Sequence, residues 1–473
     1  MTDASTYRAV LRRTLAHAEA YLARLDQATV AATATTRDLR ERLSRPLAGV
    51  GVDPVTVIDD LVADTAHGII GSAGGRFFAW VIGGAVPAAL AADWLTATWD
   101  QNASLHACGP AEAIIEEVCG AWLKDLLGLP ATASFALVTG CQMSHFTCLA
   151  AARNRLLSSC GWDVERQGIF SAPRIHILTG DQVHGSITRA VRLLGLGSES
   201  LVELPVDDEG RLTAPTLARA LERHASGPTL VLLQAGDINT GAFDPFAELI
   251  PLAHQHGAWV HVDGAFGLWA NASPRHRHLL RGVETADSWS TDGHKWLNVP
   301  YDCGYAFVAD PTAHAAPLAW RASYLTHDAS ARDPFDWNPE WSRRGRGVAT
   351  YAAIRQLGRD GIADLIDRSC RHATELARGI GRLPGAELVW EPRINQGLVR
   401  FPDPRSHATE EDHARRTDEV IAKVVRTGEA FFGGTTWRGL RCMRISVCNW
   451  QTSDADVDRA VAAVRQALEE GGR

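Results

Sequence analysis

The stretch AWVHVDG, residues 258–264, decides the fold class. A tryptophan and two valines lead into Asp263 and Gly264, and similar short apolar runs recur in RIHILTG (174–180), TLVLLQAG (229–236) and CGYAFVA (303–309). Runs rich in β-branched and aromatic residues, punctuated by Gly or Asp, predict strands. Between them lie helical segments such as AEAIIEEVCGAWLKDLLGL (111–129). Helices alternating with apolar strands from roughly 100 to 320 predict an α/β fold, a mostly parallel sheet covered by helices. Ligands of such sheets sit beyond the carboxyl ends of the strands.

After Arg343 the texture changes. A helix from Gly347 to Gly358, strand-like runs AELVWEP, GLVRFP and RCMRISVCNW, and a closing helix over 454–470 predict a smaller α+β domain. The polar stretch THDASARDPFDWNPEWSRR (326–344) reads as the hinge. At the other end, Leu11, Leu15, Ala18, Leu22 and Leu25 recur at helical spacing with charges opposite, an apolar stripe that needs a partner surface.

Composition narrows the function. With 46% hydrophobic and 22% charged residues over 473 positions, the chain is long enough for two or three domains. Its formal net charge of −8 is spread over mixed signs without a basic block, which argues against nucleic acid and anionic membrane as partners. The nine cysteines are scattered, without a CxxC pair or zinc-ribbon spacing, so they read as reduced thiols and no metal site is expected. The N-terminus never assembles an apolar run, and the longest uncharged run, Phe77 to Ala92, is 16 residues, short of the ~20 that span a bilayer. A cytoplasmic protein acting on a small molecule is the expectation.

Four features carry chemistry. Asp263 closes a strand, followed by small residues that let a flat ring approach, and its carboxylate suits a protonated heteroaromatic nitrogen. His184 closes HILTGDQVHGSITRA before a helix. In VTGCQMSHFTCLAAARNRL a strand stops at Thr139 and Gly140 and a helix begins, so its first N–H groups offer an anion cup. Lys295, in WSTDGHKWLNVPYDCG (289–304), sits among apolar residues that would lower its pKa and free its amine for an aldehyde. Pyridoxal phosphate needs such a set: a lysine, a carboxylate at the ring nitrogen, a flat partner and a phosphate cup. A dehydrogenase reading fails because no GxGxxG follows an early strand. A binding protein without turnover would be expected to have lost one of the four, and all are present.

In this order the motifs DQVHGSITRAVRLLGLG, INTGAFDP, WVHVDGAFG, DSWSTDGHKWLNVPYDCG and WSRRGR, with the weaker RFFAWVIGGAVPAALAADWL and GPAEAIIEEV, resemble the group II pyridoxal-phosphate-dependent amino-acid decarboxylases. The resemblance implies the fold of aspartate aminotransferase (fold type I), with a mostly parallel sheet of seven strands. It divides the chain into an N-terminal helical segment over 1–99 packed on a partner subunit, a large cofactor-binding domain over 100–345 and a small domain over 346–473. It makes Lys295 the Schiff-base lysine, Asp263 the partner of the ring nitrogen and His184 the stacked residue. Gly140, Cys141 and Gln142 become the phosphate cup with His294 beside it, and Asn239 and Ala265 become cofactor contacts. Tyr324 becomes the residue that reprotonates the substrate carbon, and Trp80 and Arg343 become substrate contacts.

The chain departs from the family in CQMSH at the cup, in Ile238 beside Asp237 where a threonine is common, and in Asp292 where an asparagine often meets the phosphate. The expected reaction is loss of CO2 from an L-amino acid, or an amino-acid-like conjugate, to give the amine. Oxidative deamination to an aldehyde and β-elimination are the alternatives on the same scaffold. A homodimer with active sites at the interface is implied as well.

Overall fold

Seven strands, β1 (Ser134–Val138), β2 (His176–Gly180), β3 (Leu201–Leu204), β4 (Thr229–Gln234), β5 (Trp259–Asp263), β6 (Ser288–Asp292) and β7 (Gly304–Val308), form one sheet in the order β1-β7-β6-β5-β4-β2-β3. Strand β7 runs antiparallel to both neighbours, and every other pairing is parallel. The computed structural model describes residues 4–321 and 331–470. The α/β class expected from the alternation is the one the chain adopts.

Alternation along the central strands explains the layering. Leu230 and Leu232 enter one core with Ile177, while Val231 and Leu233 enter the other with Leu178, so helices must cover both faces. All six side chains are buried, and each contributes roughly 2 kcal/mol through lost contact with water. Strand β6, Ser-Trp-Ser-Thr-Asp, escapes a hydropathy reading, yet it is buried throughout. Its polar groups are satisfied inside: Ser288 accepts from the Trp259 indole N–H at 3.0 Å, and Ser290 from the Ser144 hydroxyl at 2.6 Å.

A second sheet of four antiparallel strands, β8 (Glu387–Trp390), β9 (Gln396–Arg400), β10 (Gly433–Trp437) and β11 (Leu440–Ser446), has the order β10-β11-β9-β8. The helix Arg346–Gly381 joins the two sheets. Its first part places Ala349 and Ala353 in the large core, and its second places Leu376 and Ile380 in the small one. The expected end at Gly358 is real: there φ is 62° and ψ −179°, a left-handed backbone that glycine tolerates, and helix resumes beyond it.

Of the stretch expected as the hinge, residues 326–330 lie outside the described residues, and most of 331–344 is packed, with Phe335 buried and the Arg332 guanidinium 4.0 Å from the centre of the Phe135 ring. At the N-terminus, the helix Ala4–Arg24 leaves Leu11, Leu15 and Leu22 exposed on the single chain, while Leu25 just beyond it is buried. No helix among the described residues is long and apolar enough to cross a membrane.

Candidate active site

Parallel register brings the ends of β4, β5 and β6 together, because Gln234 pairs with Asp263 and Asp263 with Ser290. Asp263 and Asp292 are the last residues of their strands. Beyond Asp263 the chain turns at once, and the Ala265 N–H donates to its Oδ1 at 3.0 Å. The turn after Asp292 carries His294 and Lys295, and Cys303 O accepts from the N–H groups of Gly293 at 3.0 Å and His294 at 3.3 Å. From the far side of the sheet, β1 feeds the helix Cys141–Ser159 through Gly140.

Lys295 is held in place by its neighbours. Asn298, three residues on, is buried with φ 54°, a left-handed conformation that asparagine accepts more readily than most residues. Its Oδ1 accepts from Gly84 N–H at 2.7 Å and Trp450 N–H at 3.0 Å, and its Nδ2 donates to Trp296 O and Cys448 O, each at 3.0 Å. The lysine turn, the segment around Gly84 and the end of the small domain are thereby tied together. Gly83 packs so closely that a Cβ there would lie 2.0 Å from the Lys295 carbonyl oxygen.

These elements enclose a cavity of about 520 Å³, of a size usual for small-molecule sites. Gly140, Cys141, Gln142, His184, Asp263, Ala265, His294 and Lys295 line it, as does Trp80. Two expected contacts are absent from it. Asn239 turns away, its Oδ1 accepting from the Thr435 hydroxyl at 2.8 Å, and Ile238 lines the cavity instead. Arg343 is spent on structure: its guanidinium donates to Ala103 O at 2.6 Å and Leu137 O at 2.7 Å and pairs with buried Glu116 at 2.7 Å. Tyr324 lies outside the described residues.

Electrostatics differ from the sequence expectation at Lys295. Burial does act to lower its pKa, but Asp292, whose Oδ2 is 3.2 Å from Nζ, together with Cys141 and Asp263 outweighs it and holds the ammonium above its usual range. Sequence showed the apolar neighbours and not where the Asp292 carboxylate points. Burial likewise works to raise Asp263, and His145 with Lys295 prevails, keeping this carboxylate well below its usual range. His184 is pushed down, by burial first. Its Nδ1 accepts from the Ser186 N–H at 3.3 Å, capping the helix Gly185–Leu193, which leaves a neutral ring with its proton on Nε2.

Several groups in or next to the cavity escaped the sequence reading. Tyr301 lines it, stacked on His294 with ring centres 4.3 Å apart, and burial raises its hydroxyl to about 12. His145 lies 3.5 Å from Asp263 and 3.0 Å from His261. Spacing offered the signal: Cys141 and His145 are one helical turn apart, and His261 and Asp263 share a strand face.

An ionised buried carboxylate, an amine and a neutral imidazole around one cavity, with a helix N-terminus at its edge, fit the ring nitrogen, aldehyde, ring face and phosphate of pyridoxal phosphate. Comparison with known proteins agrees. Residues 53–402 match the pyridoxal-dependent decarboxylase conserved domain. An L-2,4-diaminobutyrate decarboxylase of Rhizobium meliloti is 29% identical over 393 residues, covering 82% of this chain and 76% of the relative. An aromatic-L-amino-acid decarboxylase of Drosophila lebanonensis is 31% identical over 294 residues, 61% of this chain and 70% of the relative. In fold, the Oryza sativa protein TDC, solved with PLP and tryptamine, superposes with a TM-score of 0.93 at 23% identity, covering 100% of this chain and 99% of that one. The chain therefore belongs to the pyridoxal-dependent decarboxylase family and is a carboxy-lyase whose cofactor is pyridoxal phosphate.

Proposed function

We propose that Lys295 carries the cofactor, that Asp263 keeps its ring nitrogen protonated, and that the enzyme removes CO2 from an L-amino acid with a neutral, bulky side chain to give the amine. The observation that carries this reading is the sharing of one cavity by the Lys295 amine, the ionised Asp263 carboxylate and the neutral His184 ring. Pyridoxal phosphate, when bound, supplies the electron sink that accepts the pair left on Cα as CO2 departs. The rest falls to the protein. Asp263 fixes a proton at the ring nitrogen, because a buried anion favours the cation facing it. His184 offers a flat uncharged face. The helix N-terminus that opens at Cys141 receives the phosphate through the N–H of Gln142, since that of Cys141 is held by Asp292, with His294 at its side. Asp292 orients the Lys295 amine from 3.2 Å.

Substrate class follows from the walls. Among the described residues the cavity lining holds no arginine and no lysine besides Lys295, so an acidic side chain meets no counter-charge. Trp80, Ile82, Ile238 and Tyr301 offer an apolar and aromatic wall instead. An amino-acid panel under air and under nitrogen, read for CO2, amine and aldehyde, tests both parts: aromatic or large apolar substrates should release CO2 and amine in equal amounts. Turnover confined to glutamate or aspartate contradicts the substrate class, and aldehyde as the main product contradicts the amine.

A homodimer is part of the same proposal. Leu11, Leu15 and Leu22 are exposed, and a groove between Leu15, Leu22, Leu90, Trp94 and Trp450 continues that apolar surface. A second copy of this chain is the occupant proposed for it. The nine cysteines are all unpaired, which supports a reducing, cytoplasmic setting.

A further inference from the structure

Behind the cavity lining, a file of buried polar groups leads to Asp263. Its Oδ2 is 3.5 Å from His145 Nε2, His145 Nδ1 is 3.0 Å from His261 Nε2, and His261 Nδ1 is 2.9 Å from the Ser288 hydroxyl. His145, His261 and Ser288 are each 0% exposed. Two buried histidines in line behind a carboxylate cost desolvation, and packing alone would be met more cheaply by leucine or phenylalanine.

The protons can be assigned along the file. A bare imidazole nitrogen cannot face an anion in a buried site without repulsion, so His145 Nε2 carries hydrogen toward Asp263, with Cys141 Sγ also 3.5 Å from that nitrogen. With Nε2 turned to Asp263, His145 accepts at Nδ1 from a proton on His261 Nε2, and His261 in turn accepts at Nδ1 from the Ser288 hydroxyl. The indole N–H of Trp259 donates to the same serine oxygen at 3.0 Å, so that oxygen accepts from the indole while giving its own hydrogen to the histidine. Every donor meets an acceptor and the file ends on the anion, an arrangement in which each hydrogen bond polarises the next. Burial, with His145 alongside, pushes His261 down to about 3, so this ring is neutral at physiological pH.

We propose that His145 and His261 are positioning residues for the cofactor: the file from Ser288 through His261 and His145 fixes the orientation of the Asp263 carboxylate and its anionic state, and through it the proton on the ring nitrogen. The inference rests on the assignment of Asp263 to that nitrogen. Neither histidine touches the cavity, so both act through Asp263.

The test uses holoenzyme loaded with pyridoxal phosphate labelled with ¹⁵N in the ring, whose nitrogen chemical shift separates protonated from bare nitrogen. Wild type should show a protonated nitrogen. His145→Leu should move the signal toward the bare value and lower kcat on the order of tenfold, which corresponds to about 1.4 kcal/mol of lost support, with KM changed less than about twofold. His145→Gln, which restores an N–H near the Nε2 position, should recover most of both. His261→Leu should give a smaller loss that disappears in the His145→Leu background. If Asp263→Asn strips the nitrogen of its proton while His145→Leu and His261→Leu leave it protonated, the file is only packing and the inference falls. A bare nitrogen in wild type, or a protonated one in Asp263→Asn, removes the assignment of Asp263 itself. Should His145→Leu fail to fold, His261→Leu decides alone: an unchanged nitrogen signal and kcat overturn the proposal.

Discussion

The carboxylate of Asp292 lies 3.2 Å from the ammonium of Lys295, and its other oxygen accepts the backbone N–H of Cys141 at 2.6 Å. One acidic side chain thus holds both the amine proposed to carry the cofactor and the first N–H of the proposed phosphate cup. Lys295 must lose a proton to attack a carbonyl, and Asp292 opposes that loss. Asp292→Asn removes the anion and lets burial act, so the lysine pKa falls and its neutral fraction rises, about tenfold for a fall of one pH unit. Capture of pyridoxal phosphate by the cofactor-free protein, followed by absorbance, should therefore become faster at about pH 7.5, and its pH profile should move to lower pH. An unchanged or slower capture contradicts this account of the pair.

Asn298 accepts two backbone N–H groups and donates to two carbonyl oxygens at 3.0 Å from three separate stretches of chain. Asn298→Ala would orphan these groups in a buried place. The expected cost is about 3 kcal/mol of stability, with faster loss of cofactor on dialysis, since the lysine turn loses its anchor. Urea unfolding and cofactor retention check the two effects. A variant as stable as wild type with normal retention contradicts the anchoring role.

The sequence made part of this site legible and hid the rest for physical reasons. Strand ends at Asp263 and the start of the helix at Cys141 could be read because apolar runs and small residues punctuate a buried parallel sheet. Lys295 stood out by its apolar flanks. Strand β6 was not legible, because its Ser and Thr side chains are satisfied by partners distant in sequence such as Ser144 and Trp259. His145 and His261 were hidden similarly: an i, i+4 pair on a helix and an i, i+2 pair on a strand meet only once the helix lies on the sheet. Arg343 and Asn239 fall outside the cavity lining, because resemblance transfers a position along the chain and not the direction of a side chain.

Acid should weaken the fold through histidines kept neutral inside it. Burial, with Arg332 nearby, pushes His314 down to about 3, against roughly 6.5 in an unfolded chain. Between those values the unfolded chain binds a proton that the folded protein refuses. The stability tied to this group is complete above about pH 6.5 and is lost as pH falls toward 3, by up to about 1.4 kcal/mol per pH unit. His314 bonds the Ser134 hydroxyl at 2.8 Å and Trp337 O at 3.0 Å, remote from the cavity lining. His314→Gln should flatten the fall of the urea midpoint between about pH 6.5 and about pH 4.5. Parallel slopes for variant and wild type contradict the reading.

The apolar face of the first helix gives a prediction about assembly. Leu15→Glu combined with Leu22→Glu places two charges on the groove proposed to receive a second copy. Sedimentation should show a dimer for wild type and a monomer, or a dimer weakened on the order of 100-fold, for the variant, as two buried unpaired charges demand. A monomeric wild type, or a variant that dimerises as tightly, contradicts the interface.

The most direct measurement is borohydride reduction of the cofactor-loaded protein, which fixes the cofactor to whichever nitrogen carries it, followed by peptide mass mapping. The account requires the added mass on Lys295 in the peptide spanning HKWLNVPYDCG, one equivalent per chain. It also requires Lys295→Ala to fold with a similar melting temperature while taking no label and releasing no CO2. Label on another residue, or a Lys295→Ala protein that still takes label and turns over, would contradict it.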